Sequence, residues 1–390
     1  MGREADAIKV LQRQAPPHNA PDAERGEHFM ILSEALRRSG RAADFDEAIL
    51  SARAYTWSSR DRELHGELAF YEALRSWGER ELESARGYLD EAMPRMGEVG
   101  KARISELLGL IASSAGDYDG QILHLRDALR SMDAAREPDV WVEASLLYNL
   151  AALVPDIEMP DVMALVQRRA ETLAWTQDTK RSQFQVLRCL GWAAALSGDH
   201  LLAVRRFRES ADIAPTPALS LLGSVDRAYL AREMRLEGLA SEALATAERI
   251  VNAVQWNQIS GEERIALLKY AELRAADDAD HASMLVERYR SIKGRVSSLF
   301  SASSDRRFSA DEQYSYGIVA AACGRRATAV RSLNDAFEIW SSIGFTWRAV
   351  RAAAALFELT HDSKYRSYAR AGVTPFASSW LERRVVALAA

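Results

Sequence analysis

The stretch GWAAALSG, from Gly191 to Gly198, shares its skeleton with GLIASSAG, from Gly109 to Gly116, and with GIVAAACG, from Gly317 to Gly324. In each stretch two glycines stand seven residues apart, and an apolar helix face follows. The first glycine allows two helix backbones to approach closely, and the second suits the turn that reverses the chain. The repeated unit is therefore predicted to be a helical hairpin.

The repeat also predicts how the hairpins are arranged. The first glycine recurs after 82 residues and again after 126, which corresponds to two and three units of about 42 residues. A lone hairpin cannot bury its apolar face, so successive copies must stack on one another. No stretch shows the alternating pattern of a β-strand. We expect an all-α fold, a right-handed α-α solenoid of about nine helical hairpins.

A pass along the chain gives the expected organisation. Helix after helix is predicted from residue 22 onwards, with Pro155 and Gly238 falling between helices. The serine-rich residues 294–308 lack helical periodicity, and they are either a hinge or a solvated loop. The predicted regions are an N-terminal extension (1–21), a main array (22–293), the serine-rich segment (294–308), and C-terminal repeats with a capping helix (309–390).

Composition excludes several classes of protein. The chain has 48% hydrophobic and 27% charged residues and a net charge of −5, values typical of a soluble globular protein. No run approaches the roughly 18 apolar residues that a membrane span needs, and Met1 to Val10 does not resemble a secretory signal. Cys189 and Cys323 are the only cysteines, so a reducing cytoplasm is the expected compartment.

Arginine strongly outnumbers lysine, since only six of the 50 basic residues are lysine. This bias reflects either a GC-rich coding sequence or a need for bidentate recognition of carboxylate or phosphate. The arginines are spread along the chain and matched by acidic residues, and no concentrated basic face is visible. Direct nucleic-acid binding is therefore not expected.

No pattern of residues indicates catalysis. A phosphate-binding glycine loop is missing, because Gly100-Lys101 lacks the preceding glycine and the following Ser or Thr. The seven histidines are isolated from one another and from the cysteines, so neither a zinc site nor another metal site is predicted. We expect a non-enzymatic protein without a cofactor.

The three glycine-paired units resemble the tetratricopeptide repeat, a helix-turn-helix module of 34 residues. The segment from Phe184 to Pro217 matches best, with Gly191, Gly198 and Phe207 at characteristic positions. Because the repeat here is longer than 34 residues, the chain looks like regulatory arrays: the sensor superhelices of MalT-like and other LuxR-type bacterial regulators, and the peptide-sensing Rap-type regulators. In the LuxR-type regulators a DNA-binding helix-turn-helix usually follows the array, and this sequence contains no segment that resembles one.

The resemblance also implies where a ligand binds, because the first helix of each hairpin lines the concave face of such arrays. The positions that carry over are Arg103, Glu106, Asn149, Gln185, Arg188, Trp192, Arg232, Arg235, Asp311 and Tyr314. Trp, Tyr and Arg are typical of energetically important interface positions. Trp192 faces either the groove or the hydrophobic core. Asn149 either holds a peptide backbone through its amide or is an exposed or capping residue.

Together these observations favour a cytoplasmic scaffold or sensor in bacterial regulation that binds a protein segment or peptide in its groove. The alternative is a receptor for a small effector, whose binding changes the shape of the superhelix or its self-association. An apolar pocket would favour the effector, and a continuous open groove would favour the peptide. The sequence leaves homo-oligomer formation open.

Overall fold

The computed structural model describes residues 2–17, 19–38, 41–157, 160–173, 180–196, 198–256, 261–293 and 306–372. Across these residues the chain forms 19 α-helices and one 3-10 turn, and they contain no β-strand. Of the serine-rich segment 294–308, residues 294–305 lie outside the described residues. The whole predicted capping helix near the C-terminus also lies outside them.

The first ten helices are α1 (Gly2–Arg13), α2 (Asp22–Arg38), α3 (Ala42–Thr56), α4 (Arg62–Gly78), α5 (Leu82–Ala92), α6 (Glu98–Ala115), α7 (Tyr118–Ala134), α8 (Val140–Ile157), α9 (Pro160–Leu173) and α10 (Lys180–Leu196). The other nine are α11 (His200–Ile213), α12 (Pro217–Glu233), α13 (Glu237–Ala253), α14 (Gly261–Ala275), α15 (Ala279–Lys293), α16 (Arg306–Ala322), α17 (Arg326–Ser342), α18 (Thr346–Thr360) and α19 (Ser363–Ala371). The 3-10 turn Met93–Arg95 follows α5.

Helices α2 to α19 follow one another as nine pairs of a first and a second helix within the described residues. Partners pack against each other, for example α12 on α13 and α16 on α17, and successive first helices such as α12, α14 and α16 also touch. The predicted all-α solenoid of helical hairpins is therefore confirmed. Each hairpin buries its apolar stripe on its neighbours, because one hairpin has no core of its own.

Two compact units can be distinguished among the described residues. Unit 1 holds residues 2–115 and 119–143, and unit 2 holds residues 116–118, 144–293 and 306–372. In unit 1, α1 packs on α2 and buries Ile8 in the core. In unit 2, one buried cluster is built mainly from helices α12 to α16 around Tyr270 and Leu267, neither of which is exposed to solvent.

The glycine pairs act as the sequence predicts. A Cβ atom at Gly191 would lie 2.5 Å from the ring of Phe207 on α11, and one at Gly317 would lie 2.5 Å from Cγ of Leu333 on α17. A side chain at either glycine would therefore clash with the partner helix of its hairpin. The second glycines, Gly198 and Gly324, have φ values of +87° and +70°, in the left-handed region that glycine adopts without steric cost.

One turn prediction is wrong, and the correction affects the candidate site. Gly238 does not separate α12 from α13, because it is the second residue of α13. The turn is made by Arg235, whose φ is +56°. The amide of Leu236 donates to the carbonyl of Ala231 at 2.8 Å, just as the amide of Asp199 donates to that of Ala194 at 2.9 Å after Gly198. Arg235 thus takes the place that glycine holds in the hairpins with glycine pairs.

A second prediction of this kind also fails. Pro155 was expected between two helices, but α8 continues through it to Ile157. Proline lacks an amide hydrogen and so removes a helical hydrogen bond. At Pro155 the missing hydrogen bond falls in the last turn of α8, which ends two residues later at Ile157.

Candidate functional site

Four successive first helices of unit 2 each present two polar or aromatic side chains three residues apart. Residues with this spacing share one face of a helix. The pairs are Asp226 and Tyr229 on α12, Lys269 and Glu272 on α14, Asp311 and Tyr314 on α16, and Arg348 and Arg351 on α18. We call these eight residues, together with Arg188 on α10 and Tyr148 on α8, the polar-aromatic network.

At one end of the network, Arg188 joins three helices. Its Nε donates to Oδ2 of Asp226 at 2.6 Å, and one of its terminal nitrogens donates to the hydroxyl of Tyr148 at 3.2 Å. The side chains of Arg188 and Asp226 are only 10% and 3% exposed. A charge that is buried so deeply is stable only with a partner, so the pair fixes α10 against α12.

Lys269 lies at the centre of the network. Its ammonium is 4.0 Å from Oδ1 of Asp226, the second oxygen of the carboxylate that already accepts from Arg188, and its side chain is 31% exposed. Burial lowers the pKa of Lys269, and the positive charges of Arg188 and Arg348 act in the same direction. The negative charges of Asp226 and Asp311 oppose this shift.

At the other end, α18 contributes two arginines. Arg348 pairs with Asp311 of α16. Arg351 donates to Oε1 of Glu272 at 3.0 Å, and its guanidinium lies 4.8 Å from the ring centre of Tyr314 and 5.2 Å from that of Tyr229. Such a guanidinium gains both from the carboxylate and from the negative faces of the aromatic rings. Arg351 therefore contacts the first helices of the three preceding hairpins.

Unit 1 repeats this combination of arginine, carboxylate and aromatic ring on a smaller scale. Arg103 of α6 donates to both oxygens of Glu67 on α4 at 3.1 Å and to the hydroxyl of Tyr71 at 3.3 Å. Its guanidinium lies 4.4 Å from the ring centre of Phe70. Burial raises the pKa of Tyr71 to about 12, so its hydroxyl keeps its proton. Glu67 and Arg103 also line a cleft of about 510 Å³ in unit 1.

The structure brings some predicted site residues together and leaves others apart. Arg188, Asp311 and Tyr314 belong to the network. Gln185 is half-buried on α10, one turn before Arg188, and Asn149 is half-buried on α8 beside Tyr148. Whether any of these residues contacts a ligand remains a prediction.

The other predicted positions lie elsewhere. Arg103 and Glu106 belong to α6 in unit 1, and Glu106 is half-buried. Arg232 donates to the backbone carbonyl of Leu273 at 2.6 Å and thereby connects α12 to the end of α14. The placement of Arg235 on a first helix is wrong, because this residue forms the turn after α12.

Trp192 is half-buried and contacts its own hairpin. Its ring centre lies 5.3 Å from that of Phe207 on α11, in an edge-to-face arrangement. It also packs beside a buried cluster that includes Ala203 and Leu230. This packing agrees with the core alternative for Trp192, while the exposed part of its side chain leaves surface for a ligand.

Sequence reasoning missed most of the network, and one cause is the wrong register in α12. Taking Gly238 as the turn placed Arg232 and Arg235 at the groove positions, whereas the true turn at Arg235 moves these positions three residues back, to Tyr229 and Arg232. The pairs on α14 and α18 were missed since neither helix carries the glycine pair. The recurring three-residue spacing of charged and aromatic residues was the signal available in the sequence.

Two other kinds of site have no counterpart in the described part of the chain. There, no group of three or more His, Cys, Asp and Glu side chains is arranged to hold a metal ion. No described helix combines the length and the apolar character needed to cross a membrane.

The fold defines a class of protein, a solenoid of helical hairpins like those of the tetratricopeptide repeats. Among solved structures, the chain is similar to the crystal structure of a Rap protein complexed with competence and sporulation factor, with a TM-score of 0.51 and 12% sequence identity. The match covers 89% of this chain and 99% of the Rap chain. No family model and no curated protein sequence matches the chain. At this identity, the likeness shows the fold alone.

Proposed function

We propose that this protein is a scaffold or sensor that binds a protein segment or peptide along the first helices of unit 2. The observation that carries the proposal is the polar-aromatic network, in which four consecutive first helices contribute interacting charged and aromatic side chains. Solenoids offer extended surfaces of this kind, and Tyr and Arg are enriched where binding energy is concentrated. Lys269, Glu272 and Arg351 remain partly exposed, at 31%, 18% and 15%, and a ligand therefore has access to them.

The similar Rap structure supports the same proposal, since that protein was solved in complex with competence and sporulation factor. This proposal has four further parts. The protein acts in bacterial regulation, is related to the sensor arrays of LuxR-type regulators, is located in the cytoplasm and is not an enzyme. We also propose that the serine-rich segment divides the main array from the C-terminal repeats before residue 306, where α16 begins.

A second candidate function is a receptor for a small effector, and the cleft of about 510 Å³ in unit 1 favours it. This volume is in the range of small-molecule sites. The charged residues of its lining are Glu63, Glu67, Glu98, Arg103, Arg136 and Glu137. An effector for this cleft would need polar groups of both charges, because the lining is charged and is not the apolar pocket that would favour an effector on sequence grounds.

A selection of random peptides displayed on phage, with the full chain as bait, tests the first function. We expect peptides whose affinity, measured by fluorescence anisotropy, falls at least tenfold in Glu272→Gln and Tyr229→Ala, because both remove groups of the network. Arg208→Ala is the matched control, since Arg208 lies on the second helix α11 with its side chain 58% exposed. Equal affinities in all variants, or no selected peptide, would contradict the proposal.

A further inference from the structure

At the centre of the polar-aromatic network, the positively charged side chains outnumber the negatively charged ones by one. Arg188 pairs with Asp226, and Arg348 pairs with Asp311. Lys269 is a fifth charged group beside these two pairs, and it interacts electrostatically with all four of their charges. Three cations therefore share two carboxylates.

Lys269 is also the cation whose pairing is weakest. Its ammonium reaches only Oδ1 of Asp226, at 4.0 Å, which is beyond hydrogen-bonding distance. Among the residues that the structure describes, no second carboxylate lies within ion-pair distance of it. By contrast, the guanidinium of Arg188 is held at 2.6 Å by the same aspartate. An ammonium has three hydrogen-bond donors, so Lys269 retains donors for a ligand.

The side chain of Lys269 is also partly exposed. The side chain of Lys269 is 31% exposed, compared with 10% for Arg188 and 17% for Arg348. A negative group that approaches the network from solvent thus finds Lys269 the most exposed of these three cations. It also gains from the positive potential of the two arginines, whose charges disfavour protonated Lys269 in the absence of a ligand.

We propose that Lys269 is an anion subsite that binds a carboxylate of the peptide ligand. This inference rests on the proposed function, and it names the chemistry that the peptide must present. A single negative charge balances the excess at the centre of the network. A phosphate dianion would exceed it and would face the carboxylates of Asp226 and Asp311. The carboxylate comes either from an Asp or Glu side chain or from the C-terminus of the peptide.

The first test uses the full chain with its six lysines labelled by reductive methylation with ¹³C, so that the pKa of each amine is read by NMR. The Lys269→Arg variant assigns the resonance of Lys269. Three pentapeptide probes are added at millimolar concentration: one with blocked ends and a central glutamate, penta-alanine with a free C-terminal carboxylate, and penta-alanine amide. Inorganic phosphate is the fourth probe.

We expect the resonance of Lys269 to shift and its pKa to rise with at least one of the two carboxylate peptides, because a bound anion favours the charged amine. The peptide that acts identifies the source of the carboxylate. Lys364 is the internal control, since its side chain is 66% exposed on α19, and its resonance should not move. An unchanged Lys269 with both carboxylate peptides, or an equal response to penta-alanine amide or a larger one to phosphate, would overturn the proposal.

A second test separates this inference from the proposed function. Peptides from the phage selection are compared on Lys269→Gln and on the control Lys364→Gln. If the subsite is real, Lys269→Gln weakens acidic peptides at least tenfold, and replacing their carboxylates by amides removes the difference. Peptides that depend on Glu272 and Tyr229 but bind Lys269→Gln normally would disprove the subsite while leaving peptide binding intact. If the NMR resonance of Lys269 shifts with a carboxylate probe but the phage selection yields no peptide, the anion subsite is supported and the proposed peptide binding is contradicted.

Discussion

Arg351 of α18 donates a hydrogen bond of 3.0 Å to Glu272 of α14, across 79 residues of sequence. The hairpin α16–α17 lies between these two helices in the chain, and Arg351 also stacks near Tyr314 of that hairpin. Contacts in a solenoid usually join nearest neighbours. This interaction instead joins hairpins that are next-nearest neighbours, and it involves side chains that are only 15% and 18% exposed.

Removing this interaction should destabilise unit 2. We expect Arg351→Ala to lower the free energy of unfolding by about 1–3 kcal/mol, because it leaves Glu272 without this partner and removes the guanidinium from two aromatic rings. Urea denaturation followed by circular dichroism measures the loss. A double-mutant cycle with Glu272→Gln should give a coupling energy of about 1 kcal/mol. Additive effects of the two substitutions would show that the contact contributes nothing.

The turn at Arg235 offers a stabilising substitution. A non-glycine residue with φ of +56° costs about 1–2 kcal/mol relative to the usual helical region, and Arg235 is exposed to solvent. Arg235→Gly should therefore raise the free energy of unfolding by up to about 1 kcal/mol, whereas Arg235→Ala should not. Gly324→Ala, at a φ of +70° in another hairpin of unit 2, is the matched control and should have the opposite sign. A loss of stability in Arg235→Gly would refute this account of the turn.

The close approach of paired helices can be tested at Gly317. A Cβ atom there would lie 2.5 Å from Cγ of Leu333 and 3.1 Å from its backbone nitrogen, so the helices must separate. We expect Gly317→Ala to cost about 1–3 kcal/mol, the usual range for overpacking, as measured by thermal and urea unfolding. Gly238→Ala is the control, because a Cβ atom at Gly238 meets nothing within 4 Å and alanine favours a helix. Similar losses in both variants would argue against the steric explanation.

The two cysteines should differ in reactivity. Burial raises the pKa of Cys189 to about 12, so at pH 8 only about one thiol in 10⁴ is ionised there, and the thiolate is the reactive form. Cys323 is only half-buried. We expect Ellman's reagent to titrate one thiol rapidly in the folded protein and two in urea. A Cys323→Ser variant should show no rapid phase, and a rapid phase in that variant would mean that Cys189 is accessible.

Most of the fold was predictable because local rules and packing agree. The glycine pairs at Gly191 and Gly317 combine a steric requirement with a turn requirement, and both leave a mark in the sequence. The turn at Arg235 left no such mark, since an arginine in the left-handed region is tolerated only when the hairpins around it impose that conformation.

The candidate site was less predictable for a related reason. Its residues are brought together by contacts between hairpins, such as that of Arg188 with Asp226 and that of Arg351 with Glu272. Single-helix patterns do not encode these partners, and the three-residue spacing on each helix shows only that two side chains share a face. Because the turn was placed at Gly238, the register of α12 was shifted by three residues, and the predicted site included Arg235 in place of Tyr229.

The ion pairs of the network have a consequence for how the solenoid is put together. Each pair is divided between hairpins, so α10 carries the cation that α12 needs and α16 carries the anion that α18 needs. A hairpin that stacked on the wrong neighbour would bury a charge without its counter-ion, at a cost that similar apolar surfaces would not impose. The charges thus favour one order of stacking among hairpins of similar shape, and they disfavour structures in which one hairpin takes the place of another.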